Sequence, residues 1–226
     1  MASSESPVAA PKLAIPKPTA KVKAAMAALS AVDPVLARLI DVCEPCSLGA
    51  KTDRTHFQAL VRSIVFQQLA GAAASTIHGR LIVALESYGG VEPDAVLAAP
   101  DDDLRGAGLS GAKLASIRDL AHHVETGAVD LDHTAKLDDE TMITQLSAVR
   151  GIGRWTAEMF LMFQIGRLDV WPTGDLGVRR GFGIAWCGGT DPTPKGLGPL
   201  GDRFRPYRSV VAWYCWRVSE AGALPA

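Results

Sequence analysis

The sequence predicts an all-α protein, one domain built as two lobes, and three observations carry that prediction. From about residue 57 onward, apolar residues recur at steps of three and four. No run alternates at period two for long enough to make a strand. The length of 226 residues is long for one ordinary domain and short for two. With 48% hydrophobic and 21% charged residues, the chain has the balance of a globular protein that can bury a core. No apolar run reaches the ~18 residues needed to span a bilayer, and no convincing signal-peptide layout is seen. The protein is therefore expected to be intracellular, with no membrane partner.

Residues 1–24 are expected to form a disordered tail: Pro7, Pro11, Pro16 and Pro18 stand among Ala, Ser and Lys, with no apolar period. Its lysines would add weak attraction to a polyanion. Ala24 to Val32 is mostly alanine, interrupted by Ser30. Phe57, Leu60, Val61, Ile64, Val65 and Leu69 then form one helix face. Ile77, Leu81, Ala84 and Leu85 repeat the pattern until Gly89-Gly90. Leu114, Ile117, Leu120, Ala121 and Val124 make a third stripe, stopped by Gly127. Met142, Ile143, Leu146 and Val149 make a fourth, stopped by Gly151. Trp155 to Ile165 is apolar at nearly every position, which predicts a helix buried on most sides. The same holds for Ser209 to Val218, with Trp213 and Trp216 expected in the core.

There are four cysteines, Cys43, Cys46, Cys187 and Cys215. Nothing else suggests a secreted disulfide scaffold. Cys43-Glu-Pro-Cys46 has C-x-x-C spacing, but without a second pair it reads better as two small residues near a helix end than as a metal site. The net charge of −1 conceals an uneven distribution. Residues 1–145 carry 13 basic and 18 acidic side chains, whereas 146–217 carry 10 basic and 5 acidic, a net of +5. An arginine-rich segment is what a phosphate-binding face needs, although a solvated face has the same composition.

The most informative stretch is Leu146-Ser-Ala-Val-Arg-Gly-Ile-Gly-Arg-Trp-Thr-Ala157. Two amphipathic segments are joined by Arg150-Gly151-Ile152-Gly153, too short for anything but a tight hairpin. The glycines let the backbone turn and Ile152 can plug the gap. Backbone N–H groups of Gly151, Ile152, Gly153 and Arg154, with Arg150 beside them, can then grip a phosphate oxygen at a helix start without reading sequence. A plain αα-hairpin would carry the same G-x-G. Downstream lies Asp169-Val-Trp-Pro-Thr-Gly-Asp175-Leu, which by itself reads as a helix start capped by Asp175.

Together these strings resemble the helix-hairpin-helix (HhH-GPD) DNA glycosylase superfamily, in which the hairpin is paired with a Gly/Pro-rich loop and an aspartate. Three more blocks are similar to its alkylation-repair branch, the AlkA/MAG-type DNA-3-methyladenine glycosylases. They are Phe66-Gln-Gln-Leu69, Gly108-Leu-Ser-Gly-Ala-Lys113 and Arg203-Phe-Arg-Pro-Tyr-Arg-Ser209. The resemblance covers roughly residues 30–217. It implies a domain over 25–226, with one lobe of about 52–145, the other of 25–51 plus 146–226, and a DNA-binding cleft between them.

The implied activity is hydrolysis of the N-glycosidic bond of bases such as 3-methyladenine or 7-methylguanine in double-stranded DNA, by an intracellular monomer in base excision repair. Asp175 would be the catalytic carboxylate that stabilises the sugar cation and orients or deprotonates water. Trp155 stands where backbone-cutting relatives carry a nucleophilic lysine, so no lyase step is expected. An electron-rich ring also suits a cationic base, at about 0.5–2 kcal/mol. Trp155, Met159, Phe204 and Tyr207 are the implied base pocket; Met159 replaces a tyrosine of some relatives and Phe204 a tryptophan, which makes the pocket less aromatic. Gln67, Gln68 and Leu69 are implied at the wedge that fills the hole left by the everted base. Leu69 equally reads as the end of its own helical stripe. The resemblance further implies a structural Na or K ion on the carbonyls of Ser147, Val149 and Ile152. It implies no other cofactor and no iron–sulfur cluster, for which the cysteine spacing is wrong. Two other readings remain at this point, a module that recognises lesions without cleaving and a glycosylase for a different damaged base.

Overall fold

The computed structural model describes residues 17–224, and every regular element among them is helical. In chain order the α-helices are α1 (Ala20–Val32), α2 (Pro34–Val42), α3 (His56–Phe66), α4 (Gly71–Glu86), α5 (Pro93–Ala98), α6 (Asp101–Gly106), α7 (Gly111–Glu125), α8 (Asp139–Ala148), α9 (Arg154–Phe160), α10 (Leu176–Trp186), α11 (Pro194–Leu200) and α12 (Arg208–Ala221). Residues 1–16 of the expected tail lie outside the described residues. The expectation of disorder through residue 24 is corrected at its end. Thr19 Oγ1 caps α1 by accepting the Val22 N–H at 3.3 Å, and Val22, Ala25 and Leu29 are buried.

The helices pack in two groups. α3 lies on α4 and α7, α5 and α6 lie on α7, and α4 meets α6. In the second group α1 and α2 pack on each other and on α12, which crosses α10. α8 and α9 pair as a hairpin, and α3 meets α9 where the groups join. Local chemistry fixes most helix starts. Thr55 and Gln58 form a capping box on α3, Ser110 caps α7, Asp138 caps α8, and Asp33 accepts the Val35 and Leu36 N–H groups of α2.

The α3 stripe buries Phe57, Leu60, Val61, Ile64 and Val65, but the helix ends at Phe66. Leu69 is thus no part of that stripe and is 39% exposed. The run from Trp155 to Ile165 also differs from expectation. α9 stops at Phe160, a single π turn covers Leu161–Ile165, and Trp155 is 53% exposed because it occupies the first turn, at the edge of a cleft.

Candidate active site

The hairpin begins where α8 ends. Val149 O accepts the Ile152 N–H at 3.1 Å, and Ile152 is buried as the plug between the helices. Gly151 has φ 78°, and a Cβ there would lie 2.6 Å from Ser116 Oγ of α7, so both conformation and space demand glycine. Asp119 Oδ2 accepts the Arg150 N–H at 2.7 Å. The amides of Arg150 and Ile152 are already engaged, which corrects the reading of Ile152 as a phosphate donor; the open donors are those of Gly151 and of the start of α9, where the N-cap Gly153 offers no side chain. Arg150 is exposed beside them. The Arg154 side chain is engaged within the protein. Its guanidinium donates to Glu140 at 2.6 and 3.0 Å and to Glu158 at 3.0 Å.

A cleft of about 700 Å³ opens between α3 and α9. Gln67, Gln68, Gly151, Trp155 and Met159 line it, together with Arg62, Phe66 and Phe163. Trp155 is its link to the aspartate: Trp155 Nε1–H donates to Asp175 Oδ2 at 2.6 Å. Asp175 is half-buried, and Oδ1 accepts the Val178 N–H at 2.8 Å and Trp216 Nε1–H at 2.9 Å. The helix-capping role read from the sequence therefore uses one oxygen, and the other is turned to the indole on the cleft wall. Trp216, expected in the core, is half-buried and holds the carboxylate. Phe163 stacks beside it at 5.8 Å and extends the aromatic wall. Trp213 and Trp216 stand three apart in α12, and nothing in their spacing tells which one meets an acid.

Phe204 and Tyr207 are not brought to this cleft, which corrects the pocket read from the sequence. Phe204 is 1% exposed, because Trp186 and Phe182 of α10 enclose it at ring distances of 5.5 and 6.5 Å. Tyr207 packs against the core just before α12. In exchange the cleft contains cations that sequence reasoning missed, Lys51, Arg54 and Arg62. The Arg62 guanidinium lies 3.8 Å from the centre of the Phe66 ring, four residues on, a pairing that helical spacing permits. Burial and neighbouring Arg54 pull its pKa down from the ordinary arginine value.

The segment carrying Gln67, Gln68 and Leu69 is pinned to the hairpin, because Gln67 Nε2–H donates to Gly151 O at 3.0 Å. Gln68 has φ 57°, the left-handed region, which costs a residue with a side chain about 1–2 kcal/mol. It is the only non-glycine residue with positive φ among those described. Burial pushes the Glu158 carboxyl above its ordinary value against the pull of Arg154. Among the described residues no group of three or more His, Cys, Asp or Glu is arranged to hold a metal ion. Cys46 is fully buried, which pushes its thiol up to about 12. No helix among the described residues is long and apolar enough to cross a membrane.

The chain is similar to several known proteins. It is 30% identical over 165 residues to DNA-3-methyladenine glycosylase 1 of Schizosaccharomyces pombe, covering 73% of this chain and 72% of that one. A solved structure of DNA-3-methyladenine glycosidase from Bacillus halodurans superposes with a TM-score of 0.76 at 37% identity, covering 89% of each chain. A structure of the Schizosaccharomyces pombe 3-methyladenine DNA glycosylase Mag1 in complex with abasic DNA gives a TM-score of 0.69 at 28% identity, over 87% of this chain and 97% of that one. The hairpin, the loop that ends in Asp175 and most of α3 all fall within residues 61–197, which match one family throughout, and the chain belongs to it: the HhH-GPD superfamily of base excision DNA repair proteins.

Proposed function

We propose that this protein is a monofunctional DNA glycosylase that removes alkylated bases from double-stranded DNA by hydrolysing the N-glycosidic bond. The observation that carries the reading is the 2.6 Å hydrogen bond between Trp155, on the cleft wall, and Asp175. With it a carboxylate stands at the edge of the ring on whose face an everted base would stack. The names of the similar proteins from Schizosaccharomyces pombe and Bacillus halodurans support the substrate class.

In this reading the two helix groups are lobes that close on the duplex. Leu69, exposed at the end of its segment, enters the stack as the base turns out into the cleft. A base methylated at a ring nitrogen is cationic and leaves without a general acid. What the site must supply is stabilisation of the sugar cation and a directed water, and Asp175 supplies both. The amides at the start of α9 hold a flanking phosphate. The carbonyls of Ser147, Val149 and Ile152 would hold a monovalent cation, which would add positive charge beside that phosphate. Val149 O retains a lone pair after accepting from Ile152.

The test is base release from methylated duplex DNA, read by mass analysis. Asp175→Asn keeps an oxygen to accept from Val178 and should fold, yet it should lose at least about a hundred-fold in rate. Comparable rates would remove Asp175 from the mechanism. Trapping with borohydride should give no covalent adduct.

One observation favours a second reading. Arg62 puts a cation into the same cleft, and this opposes a cationic base and suits a neutral damaged base with acceptor atoms on its edge. A panel of duplexes carrying cationic and neutral lesions separates the two.

A further inference from the structure

We infer that Lys113 is a positioning residue for base eversion: from α7 it anchors the segment that carries the wedge, and α7 thereby sets the distance between wedge and phosphate grip. The inference rests on the reading of the cleft as a glycosylase site.

Only four residues, 67–70, separate the end of α3 from the start of α4, and they carry Gln67, Gln68 and Leu69. Lys113 Nζ donates to Val65 O at 2.6 Å and to Gln67 O at 2.8 Å, on both sides of the point where α3 gives way to that segment. The ammonium is half-buried, and burial pulls its pKa below the ordinary lysine value. Three and six residues further along α7, Ser116 packs against Gly151 and Asp119 accepts the Arg150 N–H at 2.7 Å. Steps of three keep Lys113, Ser116 and Asp119 along one side of the helix. One ridge of α7 therefore holds both loops that would face DNA, and Gln67 Nε2–H to Gly151 O closes the connection between them. A wedge driven into a base stack meets resistance. The short segment holds its left-handed turn at Gln68 under that load only if the carbonyl before that turn is fixed, and Lys113 is the group that fixes it to the end of α3.

A lysine at the end of α3 would also serve as an ordinary helix cap, so the test must separate positioning from stability. A base in single-stranded DNA is already unstacked and needs no wedge, whereas a base in a duplex does. Single-turnover release of one methylated base is measured from the same oligonucleotide, single-stranded and in duplex. Lys113→Met should lose at least about ten-fold on the duplex and stay within about two-fold on the single strand, and Lys113→Arg should restore the duplex rate. Equal losses on both substrates, or no loss on either, overturn the proposal. Should Lys113→Met melt below the assay temperature, Lys113→Gln carries the same comparison, and loss of the fold in both overturns it. Fluorescence of 2-aminopurine beside an abasic analogue reads local unstacking without chemistry: it should rise on binding of wild type and not of Lys113→Met. If wild type releases no base from either substrate, the proposed function fails while this measurement still decides the role of Lys113.

Discussion

Glu158 carries an unusual burden for one side chain. It is 4% exposed, one turn into α9, and meets Arg154 at 3.0 Å. Burial raises its pKa above the usual value near 4.5, Glu140 and Asp175 add to the rise, and Arg154 offsets part of it. The folded state therefore binds this proton more tightly than the unfolded state. Stability from this group is present at low pH and is lost as pH rises from the ordinary glutamate range through the raised value. Glu158→Gln removes that titration, and Arg154 keeps Glu140. The variant should gain on wild type as pH rises across that window, which a series of melting curves would show; a constant difference would mean that Glu158 titrates normally. At the residue scale, side chains that the structure brings together were legible where each is tied to a local string. Asp175 follows Pro172-Thr-Gly and Trp155 follows a glycine hairpin, and the structure joins the two. Sequence reading failed for Phe204 and Tyr207, because an aromatic ring gives the same signal in a pocket and in a core. It passed over Arg62 because an arginine on a helix looks the same whether it faces water or a cleft.

The same contrast holds for elements. Long stripes such as those of α3, α7 and α8 were legible, since several turns of one apolar face leave a period in the sequence. α5 and α6 were not, because six residues are less than two turns and show no period. The break at Phe66 was also hidden, because Leu69 happens to continue the spacing across it. The crossing of α10 and α12 depends on missing side chains, most tightly at Gly181. A Cβ on Gly181 would lie 1.9 Å from Cys215 O, a backbone atom that cannot turn aside. Gly181→Ala must therefore push the helices apart, at about 1–3 kcal/mol or more. Trp216 rides on α12 and donates to Asp175 from there, so base release should fall along with the melting temperature. Lower stability with an unchanged rate would show that the indole follows the carboxylate.

At the scale of the molecule, a charge count along the chain does not tell which cations are free to meet a phosphate. The arginines of residues 146–217 make that stretch basic, but folding brings carboxylates to many of them. Arg154 meets Glu140 and Glu158, Arg167 meets Asp139, Arg203 meets Asp33, and Arg205 and Arg208 share Asp169. A sum along the sequence cannot register such pairs, because Asp33 and Glu140 lie far from their partners in the chain. The cleft also takes cations from the stretch with a net charge of −5, namely Lys51, Arg62 and Arg54, the last paired with Asp53. Binding to DNA releases counterions only for charges that reach phosphates, about 0.9 per contact in the slope of log affinity against log salt. Lys51 and Arg150 are exposed at the cleft and the hairpin, so Lys51→Gln and Arg150→Gln should each reduce that slope by about 0.9. Arg208 is committed to Asp169 at 2.8 Å, so Arg208→Gln should cost stability and leave the slope unchanged. Anisotropy titrations of an abasic duplex at several salt concentrations measure all three. A slope that falls with Arg208→Gln and not with Lys51→Gln would mean that the Asp169 network opens on binding, and that the basic segment reaches the phosphates after all.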